Sequence, residues 1–233
     1  MRIIGGKYGG RHLVPFQASH LRPTSDRVKE SLFNILAALR GGLGTEGSRV
    51  LDLFCGTGSL GIEALSRGAR GVTFVDQNRK SLDILKRNLS QLNIPSEEQI
   101  EIHQRDAFKY LKTFHTRGVC GGADGTDLGS GGADGTDLGS GGAEGTDLGS
   151  AAHAGEAFDL ILIDPPFTEE LAHDVMTAVA SSLVAHSTAV IAILSSRKER
   201  LGNRYPPLGQ VDLREFGDKV LRLFKFESAE VPT

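Results

Sequence analysis

From Arg49 onward, short apolar runs alternate with stretches of helical periodicity. Val50–Phe54, Gly71–Asp76, Ile100–Gln104, Phe158–Ile163 and Thr188–Leu194 read as strands, and the run Phe158-Asp159-Leu160-Ile161-Leu162-Ile163 predicts one buried on both faces. Between them, Leu60–Ser66, Lys80–Leu92, Ala107–Phe114 and Leu171–Leu183 read as helices; Leu82, Leu85, Leu89 and Leu92 share one side of the second. Repeated strand–helix–strand units predict an α/β fold, a parallel sheet with helices on both faces. Val211–Phe216 and Lys219–Phe226 around Gly217-Asp218 predict a closing antiparallel hairpin.

Two segments stand outside this alternation. The first sixteen residues are punctuated by glycine and predict a small extended ribbon or hairpin outside the core. Arg22-Pro23-Thr24-Ser25-Asp26 then supplies turn and N-cap chemistry for a helix that carries Val28, Leu32, Phe33, Ile35, Leu36 and Leu39 on one face and stops at Gly41-Gly42. The second segment, residues 121–150, is the decapeptide Gly-Gly-Ala-Asp-Gly-Thr-Asp-Leu-Gly-Ser three times over, with one Asp-to-Glu change at Glu144. Its six acids, absence of bases and single large apolar side chain per repeat cannot offset the entropy of ordering, so a flexible surface insertion is expected. Calcium-binding β-helix repeats share its Gly and Asp content but have a nonapeptide period and need long arrays.

Composition narrows the class. With 233 residues, 39% hydrophobic and 24% charged, the chain suits one well-packed soluble domain plus an extension: residues 1–40, then 41–233. No apolar leader follows Met1, no run could span a bilayer, and Cys55 and Cys120 form neither a metal spacing nor a disulfide framework; a cytoplasmic, metal-free monomer is the expectation. The net charge of −3 hides an asymmetry. Residues 1–40 hold seven Lys and Arg (Arg2, Lys7, Arg11, Arg22, Arg27, Lys29, Arg40) against two acids, a local positive potential suited to a polyanion. Taken singly, each of these charges is equally a solvated surface residue.

The candidate chemistry lies at strand ends. Phe158–Ile163 runs into Asp164-Pro165-Pro166-Phe167, placing a carboxylate, two rigid rings and an aromatic side chain at the sheet edge where open α/β folds bind ligands. The set suits a planar group with an exocyclic amine; alone, it is equally a turn in which proline ends a strand. Far upstream, Gly56-Thr57-Gly58-Ser59-Leu60-Gly61 satisfies GxGxxG between strand and helix, ordinarily a pyrophosphate cradle. Asp52, just before it, would repel pyrophosphate and attract an ammonium. Asp76 ends the second strand, where it can accept from both ribose hydroxyls. Asp106, followed by Ala107, ends the third, where an adenine amine can be read. Any one acid can be a loop residue or a helix cap, Asp106 most readily. Three at successive strand ends fit S-adenosylmethionine, a nucleoside joined to an amino acid without phosphate.

The stretch Leu51-Asp52-Leu53-Phe54-Cys55-Gly56-Thr57-Gly58, with Asp164-Pro165-Pro166-Phe167, resembles the class I methyltransferases that act on exocyclic amines, whose fold is a Rossmann-like seven-stranded sheet with helices on both faces. More narrowly, Arg2-Ile3-Ile4-Gly5-Gly6-Lys7, the block from Arg22 to Asn34, the run from Gly61 to Ala69, and Phe216-Gly217-Asp218 resemble the RsmD-type rRNA guanine-N2 methyltransferases. The repeat at 121–150 departs from that pattern, in which this connection is short. The resemblance implies that Asp52, Gly56 and Gly58 hold the methionine part of the cofactor, with Phe54 in the same turn. It places Asp76 on the ribose with Gln77 beside it, and Asp106 and Ala107 along the adenine. Asp164 and the Pro165 carbonyl accept from the guanine N2 amine, Pro166 stiffens the corner, and Phe167 stacks on the base. It also implies a 16S rRNA substrate within an assembled small subunit, with Arg2, Lys7, Arg11, Arg22, Arg27 and Lys29 on phosphates.

Three rival readings stay open on the residues alone. DNA adenine and protein glutamine N-methyltransferases share the chemistry, although their tetrapeptides more often begin with Asn and end with Tyr. Nicotinamide dehydrogenases share GxGxxG but give the diproline corner no role. A non-catalytic RNA-binding module would have no use for an intact acceptor tetrapeptide.

Overall fold

A computed structural model describes residues 1–15, 24–41, 44–94, 98–114, 157–166 and 170–227. Arg22, Cys120, Phe167 and the repeat at 121–150 lie outside the described residues. In chain order the elements are α1 (Asp26–Leu39), β1 (Arg49–Leu53), α2 (Ser59–Ser66), β2 (Gly71–Asp76), α3 (Arg79–Leu92), β3 (Gln99–Gln104), α4 (Ala107–Leu111), β4 (Phe158–Ile163), α5 (Ala172–Ser181), β5 (Ala185–Ser196), β6 (Arg204–Tyr205), β7 (Leu208–Phe216) and β8 (Lys219–Phe226).

They form one sheet in the order β3-β2-β1-β4-β5-β8-β7-β6. Strands β1 to β5 pair in parallel; β8 runs antiparallel to β5 and to β7. The chain moves outward from β1 through β2 to β3, then returns to lay β4 on the other side of β1. That reversal opens a crevice at the carboxyl ends of β1 and β4, the usual ligand position in such sheets. The period-two pattern sorts the core into two layers. Val50, Val72, Phe74, Leu160, Leu162, Val190 and Leu194 point towards α1, α2 and α3. Leu51, Leu53, Val75, Ile161, Ile163 and Ile191 point towards α4 and α5.

The sheet has eight strands where seven were expected. The addition is β6, a two-residue edge strand on β7 too short to show any periodicity in sequence. Strand β5 starts at Ala185, earlier than the apolar run predicts, because exposed His186, Ser187 and Thr188 continue it beyond the core.

The N-terminal segment folds back as a minimal antiparallel hairpin: the Arg2–His12 bridge is flanked by Ile3 N–H donating to the Arg11 carbonyl at 2.9 Å, Gly10 N–H to the Ile3 carbonyl at 2.9 Å and Leu13 N–H to the Met1 carbonyl at 3.0 Å. It is fastened to α2. The buried Glu63 carboxylate accepts the Ile4 and Gly5 N–H groups at 2.7 and 2.9 Å and the Arg67 Nε–H at 2.8 Å. Ile3, Tyr8 and Leu13 join Val28, Leu32, Phe33 and Leu36 in the same core layer as β1 and α2, so the described residues before Gly41 share the domain's core. The cap expected near residue 25 is Ser25, whose side chain accepts from the Val28 N–H.

Lys29 corrects the sequence reading. Its side chain is fully buried, its ammonium donates to the Arg2 carbonyl, and Glu63 lies 4.0 Å away. Burial pulls its pKa below the usual lysine value against the opposing pull of Glu63. No phosphate can reach it. Lys29 fastens α1 to the N-terminal segment.

Candidate active site

The glycine turn after β1 is built on close backbone approach. Phe54 takes a left-handed φ of 58°, Cys55 N–H bonds the Val75 carbonyl at 3.1 Å, and Gly58 N–H bonds the Cys55 carbonyl at 2.8 Å. Gly58 has φ 82°, and a Cβ there would lie 2.3 Å from Leu85 Cδ1. Replacing it with alanine combines a left-handed side chain with overpacking, so Gly58→Ala should cost about 2–4 kcal/mol in urea unfolding. A cost within error would mean that Leu85 and the turn relax freely. Gly56, at φ 55°, differs: a Cβ there would meet nothing within 4 Å, so the turn is open above it.

Asp52, in β1, is 1% exposed and accepts the Gly61 N–H on Oδ2 at 2.8 Å. At the end of β2, Asp76 accepts Gly56 N–H on Oδ2 at 2.8 Å and Asn78 N–H on Oδ1 at 2.7 Å. Each Asp76 oxygen thus keeps a lone pair for a further donor. Gln77 beside it is exposed. After β3, Asp106 caps α4 by accepting Lys109 N–H at 2.9 Å on Oδ1, and Ala107 is buried beneath it. After β4, Asp164 is partly exposed and Pro165 is buried.

Strands β1 and β4 pair Leu53 with Ile163, so Asp52 and Asp164 flank the same pair of residues at adjoining strand ends. Their fields overlap. Burial pushes the Asp52 carboxyl up to about 8 against the Gly61 hydrogen bond, with Asp164 and Asp76 pushing the same way. Burial also raises Asp76, opposed by its two backbone donors. Three carboxylates around one crevice make a poor home for pyrophosphate. They suit a ligand bearing an ammonium, a diol and a sulfonium. Cys55 is not poised as a nucleophile, because burial raises its thiol well above the usual value. Among the described residues, no cluster of three His, Cys, Asp or Glu side chains could hold a metal ion.

The structure thus gathers Asp52, Phe54, Gly56, Gly58, Asp76, Asp106, Ala107, Asp164, Pro165 and Pro166 along the carboxyl edge of β1 to β4. The expected phosphate contacts are more scattered. Arg2, Lys7, Arg11 and Arg27 are exposed. Arg2 pairs with Asp26 at 2.8 Å, Lys7 pairs with Glu98, Arg11 donates to the Leu92 carbonyl at 3.2 Å, and Arg27 lies over the Phe216 ring. The sequence reading missed two side chains that touch Asp164, namely Thr24 and Lys219. In sequence Thr24 reads as turn chemistry and Lys219 only as the residue that opens the second arm of the closing hairpin.

Fold and crevice together define a class I methyltransferase architecture. Two solved structures share it over nearly the whole chain. The structure titled "Putative methyltransferase yhhF from Escherichia coli" is 25% identical, with TM-score 0.69, over 98% of this chain and 99% of that one. A putative methylase from Haemophilus influenzae is 26% identical, with TM-score 0.66, over 97% and 98%. The family described as "Conserved hypothetical protein 95" matches residues 1–119 and 142–225, and the chain belongs to it. In sequence, the "Putative rRNA methyltransferase YlbH" of Bacillus subtilis is 42% identical over 111 residues, 48% of this chain and 56% of that protein. The "Ribosomal RNA small subunit methyltransferase D" of Haemophilus influenzae is 44% identical over 112 residues, 48% and 55%. The chain therefore spans about half the length of these curated relatives.

Proposed function

We propose that this protein transfers a methyl group from S-adenosylmethionine to the exocyclic N2 of a guanine in small-subunit rRNA, acting as a cytoplasmic monomer on the assembled small subunit. The observation that carries this reading is the meeting of the Asp52–Gly58 turn and the Asp164-Pro165 corner at one switch point, close enough for Asp164 to raise the Asp52 pKa. When bound, S-adenosylmethionine supplies an electrophilic methyl on a sulfonium. Asp52 would face its ammonium, Asp76 would accept from its ribose diol, and Asp106 and Ala107 would border its adenine. Asp164 and the Pro165 carbonyl would accept hydrogen bonds from the amino group of the base, which sheds one proton to solvent once it carries the methyl. Such acceptors favour a more tetrahedral nitrogen and stabilise the positive charge that develops there during attack. Holding the nitrogen still at this corner would supply much of the remaining acceleration. Phe167 supplies the stacking platform for the unstacked base.

Purified protein, tritiated S-adenosylmethionine and, in separate reactions, small subunits, naked 16S rRNA or duplex DNA give the direct test. Label in guanine N2 of the small subunit is expected. Label in DNA adenine or protein glutamine, or none at all, would sink the proposal. Asp76 has its own signature. Losing a hydrogen-bonding carboxylate should raise the cofactor Kd of Asp76→Ala by roughly ten- to a hundredfold, read by titration calorimetry. The rate at saturating cofactor should be nearly unchanged. An unaltered Kd would remove Asp76 from the cofactor site.

A further inference from the structure

Two side chains outside this set close on Asp164. Thr24, just ahead of the Ser25 cap of α1, donates its hydroxyl to Asp164 Oδ2. Lys219, the first residue of β8, donates to Thr24 Oγ1 at 3.3 Å, and its ammonium lies 3.7 Å from Asp164 Oδ1. Thr24 is 6% exposed and Lys219 9%. Inventory fixes the direction of this chain of bonds. An ammonium can only donate, an ionised carboxylate can only accept, and a threonine hydroxyl has one proton. Because Lys219 fills a lone pair of Thr24, the one hydroxyl proton is committed to Asp164.

We infer that Thr24 and Lys219 are positioning residues that fix the carboxylate plane of Asp164, so that it presents its acceptor lone pairs to the substrate amine in one orientation. The inference rests on the assignment of Asp164 as that acceptor. Asp164 follows a strand end and precedes a proline; its own backbone fixes the Cα but not rotation about the side chain. Thr24, from the basic N-terminal segment, and Lys219, from the closing hairpin, supply the missing restraint. In-line transfer is sensitive to small misplacements of the acceptor, so the restraint should appear in rate rather than in binding. It also links the segment expected to meet rRNA to the atom expected to meet the target base.

Single-turnover methyl transfer to small subunits tests this with Thr24→Val, Thr24→Ser, Lys219→Met and the Val/Met pair. Thr24→Val should lower the saturated rate by roughly 10–100-fold, with the RNA KM and the cofactor Kd within about twofold. Thr24→Ser, which keeps the hydroxyl, should restore most of the rate. Adding Lys219→Met to Thr24→Val should cost less than the product of the two single losses, because the Lys219–Thr24 bond is already gone and only the direct Lys219–Asp164 contact is left to lose. A Val variant as fast as the native protein, a Ser variant no better than Val, or independent multiplicative losses would overturn the inference. If the native protein labels no guanine, the functional proposal fails instead. The cofactor-free protein then decides the positioning role: the melting-point shifts of Thr24→Val and Asp164→Ala should fall clearly short of additive in the double variant, and additive shifts would refute it.

Discussion

Asp164→Ala should lower single-turnover methyl transfer by at least about 10²–10³-fold, the usual cost of removing one group aimed at developing transition-state charge. The rate should fall without a matching loss of cofactor. Asp164 stands beyond the end of β4, while the donors and acceptors proposed for S-adenosylmethionine come from β1, β2 and β3. Removing Asp164 has two opposed effects on Asp52: it takes one negative charge from the crevice and lowers the cost of ionising Asp52. The two partly cancel for a cationic ligand, so the Kd by titration calorimetry should stay within about threefold. Asp164→Asn separates charge from shape: the amide keeps an acceptor oxygen but brings a donor that can face the substrate amine, so most of the loss should persist. Equal losses in rate and cofactor affinity in the alanine variant would place Asp164 in the cofactor site and leave the amine without its acceptor.

The sheet and the acid-lined crevice were legible because their signals are local. A buried parallel strand must be apolar almost throughout, a turn that takes φ 82° against Leu85 must be glycine, and the acids stand out against those runs: Asp52 one residue inside the end of β1, Asp76 closing β2, Asp164 just past β4. What was missed depends on tertiary partners. Lys29 lies on an amphipathic helix within the basic first forty residues, and only the folded position of Glu63 and the Arg2 carbonyl shows that its charge is buried. Thr24 and Asp164 are 140 residues apart in sequence, and no periodicity connects them. The two residues of β6 pair only because β7 already lies beside them. Asp106 held both readings at once: it is the cap of α4, and it also stands at the carboxyl edge where the cofactor's base is proposed to lie.

Asp52 gives the site a pH signature of definite sign. In the folded, cofactor-free protein its carboxyl is pushed up to about 8, against an ordinary 3.8, first by burial and then by Asp164 and Asp76. Below about pH 4 both folded and unfolded chains hold this proton. Between about 4 and 8 the folded chain keeps a proton that the unfolded chain has released, so this group's contribution to stability is lost as pH rises, by roughly 1.4 kcal/mol per pH unit at most. Asp76, raised in the same direction, adds to the slope. The melting temperature of the cofactor-free protein should therefore fall from pH 5.5 to 7.5 more steeply than that of Asp52→Asn. An ammonium held by Asp52 needs its ionised form, so cofactor binding should expel a proton and tighten as pH rises through this window, below the titration of the ligand's own amine near 8. Calorimetry in buffers of different ionisation enthalpy measures that release directly, and in Asp52→Asn it should vanish along with much of the affinity. A native cofactor Kd that stays flat from pH 5.5 to 7.5, or an Asn variant with the native proton release, would mean that Asp52 stays protonated beneath the turn and that the ammonium is held elsewhere.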